Sequence, residues 1–168
     1  MIIERVTVQP FRDYVAAQVF RPASMTMTGY DEGAMVPDLA HPYTKNFGPN
    51  GRPDPDTWHK VELPPSRLAM SSGGGTSTAP DLTRFMNALL MNGLLTKPMK
   101  DSVLAQRIHS EEGGRSYGLE SGRWNGVWIV GHNGFAPGVL DQVDAYPDLG
   151  YVVVVLSNGD TSGAGAVS

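Results

Sequence analysis

Four histidines and no cysteine bound the chemistry this 168-residue chain can offer. His132 opens the triplet His132-Asn133-Gly134 inside "GHNGFAPGVL" (residues 131–140). A histidine can hold or move a proton there, because its ordinary pKa of about 6.5 lies near neutrality. The same residues also spell a two-residue hairpin signal, Asn133-Gly134, which would leave His132 a bystander at a strand end. From the residues alone both alternatives stand. The other histidines, His41, His59 and His109, lack a helical H-x-x-x-H spacing, so no metal site is expected. Asp54 and Asp56 alternate with prolines and read as solvated loop carboxylates.

A serine nucleophile needs a base beside it. "GTSTA" (75–79) departs from the G-x-S-x-G elbow at its last position, and Ser77 and Thr78 sit where a helix N-cap belongs. No Ser-x-x-Lys occurs, and neither does Tyr-x-Asn or Ser-x-Asn. The nearest tetrad, Thr57 to Lys60, carries threonine in a proline-rich loop and is read as coincidence.

The elements that would position these groups divide the chain. Residues 1–7 look like the last turns of a helix, with Ile2, Ile3 and Val6 on one face. A second helix is predicted from about Pro10 to Phe20, ended by Pro22. From about 23 to 76 the periodicity disappears into a long irregular loop. Thr78 with Asp81 then forms a capping-box pattern ahead of an apolar stripe (Leu82, Phe85, Met86, Leu89, Leu90), with Gly93 as C-cap. A weaker helix is predicted over roughly 98–109. Four strands follow: "RSYGLESGRW", the turn Asn125-Gly126, "VWIVGH", "GVLDQVDAYP", and "YVVVVLSN" as a fully covered central strand. The expected class is α+β, with an antiparallel meander of about four C-terminal strands packed with helices. The tail "GDTSGAGAVS" reads as flexible.

Composition narrows the classes further. The net charge of −4, with no basic run, argues against nucleic acid and anionic membranes as partners. The longest apolar run, "YVVVVL", is too short to span a bilayer. With 20 glycines and 13 prolines the chain is loop-rich, yet short of the level where disorder becomes the default.

Several stretches in order resemble the serine β-lactamase and penicillin-binding-protein-like family, above all its class C-like esterase and D-aminopeptidase branch. They are "IIERVTVQPFRDYVAAQVFRPASMTMTGY" (2–30), "LAHPY" (39–43), "SSGGGTSTAPDLTRFMNALL" (71–90), "SYGLE", "GHNGFAPG" and "YPDLGYVVVVLSNGD". Two departures fall at turn positions: Val8 stands where the family usually has Gly, and Ala23-Ser24 where it has Leu-Gly. The resemblance implies a single partial domain over 1–168, the C-terminal part of a β-lactamase/transpeptidase-like fold. It implies that the chain begins after the family's Ser-x-x-Lys and Tyr-x-Asn motifs and is inactive alone.

In the family the third motif is Lys-Thr-Gly or His-x-Gly, and His132-Asn133-Gly134 is similar to the second form. By that match His132 helps hold a substrate carboxylate or carbonyl and supports proton transfer, and Asn133 faces the substrate's polar groups. Gly134 keeps the cleft wall bare, and the Phe135 N–H is one oxyanion-hole donor. The implied substrate is a small ester, amide or β-lactam, with no cofactor and no metal. The alternative is a non-catalytic binding or oligomerising module, self-associating through exposed apolar surface.

Overall fold

The computed structural model describes residues 2–30, 38–48, 50–62, 72–91, 93–110 and 113–161. They form two compact units, one of Met1–Leu39 with Leu63–Thr96, the other of Ala40–Glu62 with Lys97–Ser168. The tail from residue 162, read from sequence as flexible, lies outside the described residues.

The first unit is helical. Helix α1 covers Ile2–Thr7 and α2 covers Phe11–Val15, with Pro10 as its N-cap. From Ala16 to Phe20 the helix widens, with Arg21 N donating to Ala16 O and Met25 N to Phe20 O across five residues. Val8 and Ser24, the two positions where the family carries glycine, have φ of 56° and 58°. Both hold the left-handed conformation that glycine adopts without strain, and a branched valine there is costly. Helix α3, Ala79–Leu90, starts as its cap predicts, with Thr78 Oγ1 accepting from Asp81 N at 3.3 Å. The other half of the capping box is spent elsewhere. The buried Asp81 carboxylate accepts from Met27 N (2.7 Å) and Thr28 Oγ1 (2.8 Å), and it pairs with Arg84. Gly93 N reaches back to Ala88 O at 2.7 Å.

The second unit is built on a sheet. Helix α4, Lys97–Leu104, is shorter than expected. Beyond it the side chain of Gln106 donates to Ser121 O and Arg107 N donates to Arg115 O, pulling 106–110 out of helix into strand β3, Ile108–Ser110. Strands β4 (Gly113–Arg115), β5 (Glu120–Trp124), β6 (Val127–Ala136), β7 (Val139–Tyr146) and β8 (Tyr151–Ser157) follow. Strands β1 (Tyr43–Thr44) and β2 (His59–Lys60), earlier in the chain, pair with each other within the loop read as irregular.

The sheet is an antiparallel meander in the order β3-β4-β5-β6-β7-β8. The class is α+β, as expected. Four strands had been anticipated, and the short β3 and β4 extend them to six. "RSYGLESGRW" is not one strand: it breaks at Ser116–Leu119, where Gly118 turns with φ 74° and Ser116 N donates to Leu119 O. The apolar run of β8 ends the sheet order rather than lying at its centre, and its valines are half-buried. The core of this unit gathers around Leu104, Val130 and Ala145.

Candidate active site

Residues 132–135 lie within β6, not in a turn. The strand continues four residues past His132, and the chain reverses only at Pro137-Gly138. Both hairpins bracketing β6 close on two-residue loops, Asn125-Gly126 and Pro137-Gly138. Trp124–Val127 and Ala136–Val139 are therefore the hydrogen-bonded pairs that start each ladder. Odd-numbered residues of β6 then turn their backbone groups towards β5, and even-numbered residues towards β7. Pairing with β5 ends at Glu120–Gly131. The N–H groups of Asn133 and Phe135 thus point to the side of β6 that β5 no longer covers.

The side chains alternate between the two faces. His132 and Gly134 share one face with Val130; Asn133 and Phe135 share the other with Gly131. His132 and Asn133 are exposed, Gly134 is half-buried, and Phe135 is 69% exposed. The structure therefore brings the four residues of the motif into one short segment of open strand, His132 on one face and Asn133 on the other.

Two carboxylates flank this segment on β7. Gly131 pairs with Asp144, whose side chain occupies the space a Cβ on Gly131 would need. Asp144 lines a hollow of about 360 Å³ with Glu120, Arg115, Gln142 and Ile129, on the face away from His132. Burial pushes its carboxyl up, a hydrogen bond from Gln142 Nε2 (2.8 Å) pulls it back, and the Glu120 charge raises it further. Asp141 pairs with Gly134 and lies on the His132 face. Burial raises its carboxyl too, against one donor, Ser157 N at 3.1 Å.

A third carboxylate secures the far end of the hairpin. Asp160, 7% exposed, accepts from Thr44 Oγ1 at 2.6 Å and from Gly138 N at 3.0 Å. Its burial would raise the pKa, but the hydrogen bonds from Thr44, Gly138 and Asn46 outweigh it and hold the carboxyl below its usual value. The segment 41–44 is stitched down here as well: Asn158 Nδ2 donates to His41 O (3.1 Å) and Tyr43 N to Asn158 O (2.9 Å).

The remaining sequence candidates fall elsewhere. Ser77 Oγ is hydrogen-bonded to Thr28 Oγ1 at 2.8 Å, beside the Thr78 cap, in the helical unit. Asp54, read as merely solvated, lies 2.8 Å from His59 Nε2, which lowers its pKa. Among the described residues no three of His, Cys, Asp and Glu cluster as metal ligands. Sequence reading missed Asp141 and Asp160. For Asp141 a signal existed: it interrupts the apolar alternation of Val139, Val143 and Ala145.

The family model described as Beta-lactamase matches residues 1–168. No curated protein matches the sequence. Among solved structures, the chain is similar to a penicillin binding protein from Bacillus halodurans, at 26% identity and a TM-score of 0.82. The match covers 96% of this chain and 49% of that one. It is similar to a D-stereospecific amidohydrolase from Streptomyces sp. at 25% identity and TM-score 0.79, covering 98% and 48%. A D-amino acid amidase from Ochrobactrum anthropi shares the fold at 22% identity and TM-score 0.77, covering 95% and 48%. The chain spans about half the length of the structures it matches.

Proposed function

Because the chain belongs to the beta-lactamase family, we propose that it is the C-terminal portion of a serine hydrolase that cleaves an ester, amide or β-lactam through an acyl-enzyme. His132-Asn133-Gly134 is its third motif. The observation that carries this reading is the open strand: residues 132–135 run past the end of β5, so a substrate can lie against β6 as a neighbouring strand would. The Phe135 N–H then meets a carbonyl oxygen that is becoming an oxyanion, where a fixed donor is worth most. Gly134 leaves the wall of the cleft free of a side chain. His132 holds the substrate's carboxylate or carbonyl and supports proton transfer, and Asn133 meets its polar groups.

The 168 residues contain neither Ser-x-x-Lys nor Tyr-x-Asn, so the chain by itself forms no acyl-enzyme. Incubation with a chromogenic cephalosporin and a short-chain nitrophenyl ester, followed by intact mass, is expected to show no adduct and no turnover. A covalent adduct on this chain overturns that expectation. An open frame upstream of Met1 carrying Ser-x-x-Lys and then Tyr-x-Asn supports the hydrolase.

The second reading is a non-catalytic binding or oligomerising module. Exposed Ile108, Trp124, Phe135 and Tyr151 on the strands favour it. A discrete, cooperatively melting oligomer in light scattering, with no such upstream frame, would select this module over the enzyme.

A further inference from the structure

We propose that Asn125 is a self-modification site, where the chain converts asparagine to an aspartyl or isoaspartyl link without an enzyme. The inference stands apart from the reading of His132 and concerns the other end of β6. The sequence holds five Asn-Gly pairs: Asn50-Gly51, Asn92-Gly93, Asn125-Gly126, Asn133-Gly134 and Asn158-Gly159. In each, glycine has no side chain to shield its backbone nitrogen from the asparagine carboxamide. What separates the five is whether that nitrogen is already held.

At four pairs the glycine N–H is spent. Gly51 N donates to Gly48 O at 2.9 Å, Gly93 N to Ala88 O at 2.7 Å, and Gly159 N to Ser157 Oγ at 3.2 Å. Gly134 stands opposite Asp141, a hydrogen-bonded pair of the β6–β7 ladder like Ala136–Val139. Two of the carboxamides are held as well. Asn50 Oδ1 accepts from Arg52 N at 3.0 Å, and Asn158 Nδ2 donates to His41 O at 3.1 Å. Gly126 differs. In its two-residue loop the ladder bonds belong to Trp124 and Val127, and its N–H has no acceptor among the described residues. Asn125 and Gly126 are both exposed, with nothing within 4 Å of where a Gly126 Cβ would project.

The reaction balances with water alone. Gly126 N gives its proton to solvent and attacks Asn125 Cγ; the Cγ–Nδ2 bond breaks and ammonia leaves, closing a cyclic imide. Water then opens the ring. Breaking the bond from Gly126 N to Cγ leaves an aspartyl residue. Breaking the bond from Gly126 N to the Asn125 backbone carbonyl leaves an isoaspartyl link, with the chain running through Cγ. Either product adds a carboxylate to a chain of net charge −4. The isoaspartyl link also inserts a backbone carbon into a turn whose φ angles of 49° and 83° start the ladder. A two-residue loop fixes the register of its strands. The insertion therefore loosens the pairing from Trp124–Val127 towards Glu120–Gly131, where β5 ends beside the open strand.

Peptide mass mapping of the folded 168-residue chain, held in warm, mildly alkaline buffer, tests the site. The Asn125 peptide is expected to exchange NH for oxygen about tenfold faster than the other four pairs, the difference one hydrogen bond makes. Methyl transfer by an isoaspartyl-specific methyltransferase should mark the isoaspartyl product. In urea the five rates should draw together, because the fold no longer holds the other four nitrogens. Asn125→Gln should remove the early reaction. An Asn125 peptide that reacts no faster in the folded chain than the other four overturns the proposal. Hydrogen exchange across β5 and β6 should quicken in the reacted chain but not in Asn125→Asp, which adds the charge without the backbone carbon. Equal exchange in the two overturns the loosening of the ladder.

Discussion

The two ends of β6 close on loops of equal length held by different physics. At the first, Asn125 and Gly126 have φ of 49° and 83°, and nothing lies within 4 Å of where a Gly126 Cβ would project. Residue choice there answers only to the turn's own dihedrals. At the second, Gly138 has φ 78°, its Cβ position is 2.8 Å from Pro42 Cβ and Tyr43 N, and its N–H is taken by Asp160. Dihedral, close approach and hydrogen bond converge on one residue. The free turn starts the ladder. The enclosed turn anchors the end of β6 that carries residues 132–135, and ties it to residues over 90 positions away in sequence.

Substitution separates the two. Gly138→Ala combines positive-φ strain with overlap against the 42–43 backbone and should cost about 3 kcal/mol or more in urea unfolding. Gly126→Ala should cost about 1 kcal/mol, from its dihedral alone. Equal costs would break the contrast. Next comes Asp160→Ala, which strands the Thr44 hydroxyl and the Gly138 N–H and should cost about 2 kcal/mol at neutral pH.

That loss has a pH signature. The Asp160 carboxyl is lowered in the fold, so its stabilisation is present above the unfolded value of 3.8 and is lost as pH falls through the folded one. The gap between wild type and variant should therefore narrow as pH falls below 3.8. The smallest effect is expected at Asp144, beside the middle of β6, where the sign reverses. Its carboxyl is raised, so wild-type stability declines as pH climbs from 3.8 through the folded value. Asp144→Asn should melt slightly higher than wild type at pH 7 and gain nothing at pH 3. A lower melting temperature at pH 7 would show that the bond from Gln142 outweighs the burial cost.

Much of the fold was legible because its signals are local. Helix α3 follows from a cap and an apolar stripe within twelve residues, and the Asn125-Gly126 turn from two residues with a known dihedral demand. Two expectations lost to strand pairing. The expected helix to residue 109 lost to the pairing of Ile108–Ser110 with Gly113–Arg115. The strand expected to stop at His132 continued to Ala136 because β7 offered partners that far. In the candidate site, the motif could be seen in the sequence but its surroundings could not.

The sequence by itself determined the α+β class, the family likeness, the His132-Asn133-Gly134 triplet and the lack of a Ser-x-x-Lys nucleophile motif, since each is written in residue type and near spacing. Only the tertiary structure decided which side of β6 is open, that Asp141 shares a face with His132, and that Asp160 joins Thr44 to Gly138. Those facts depend on register and on which strand ends first. A shift of one residue in pairing would place Asp141 on the opposite face without changing a letter of the chain.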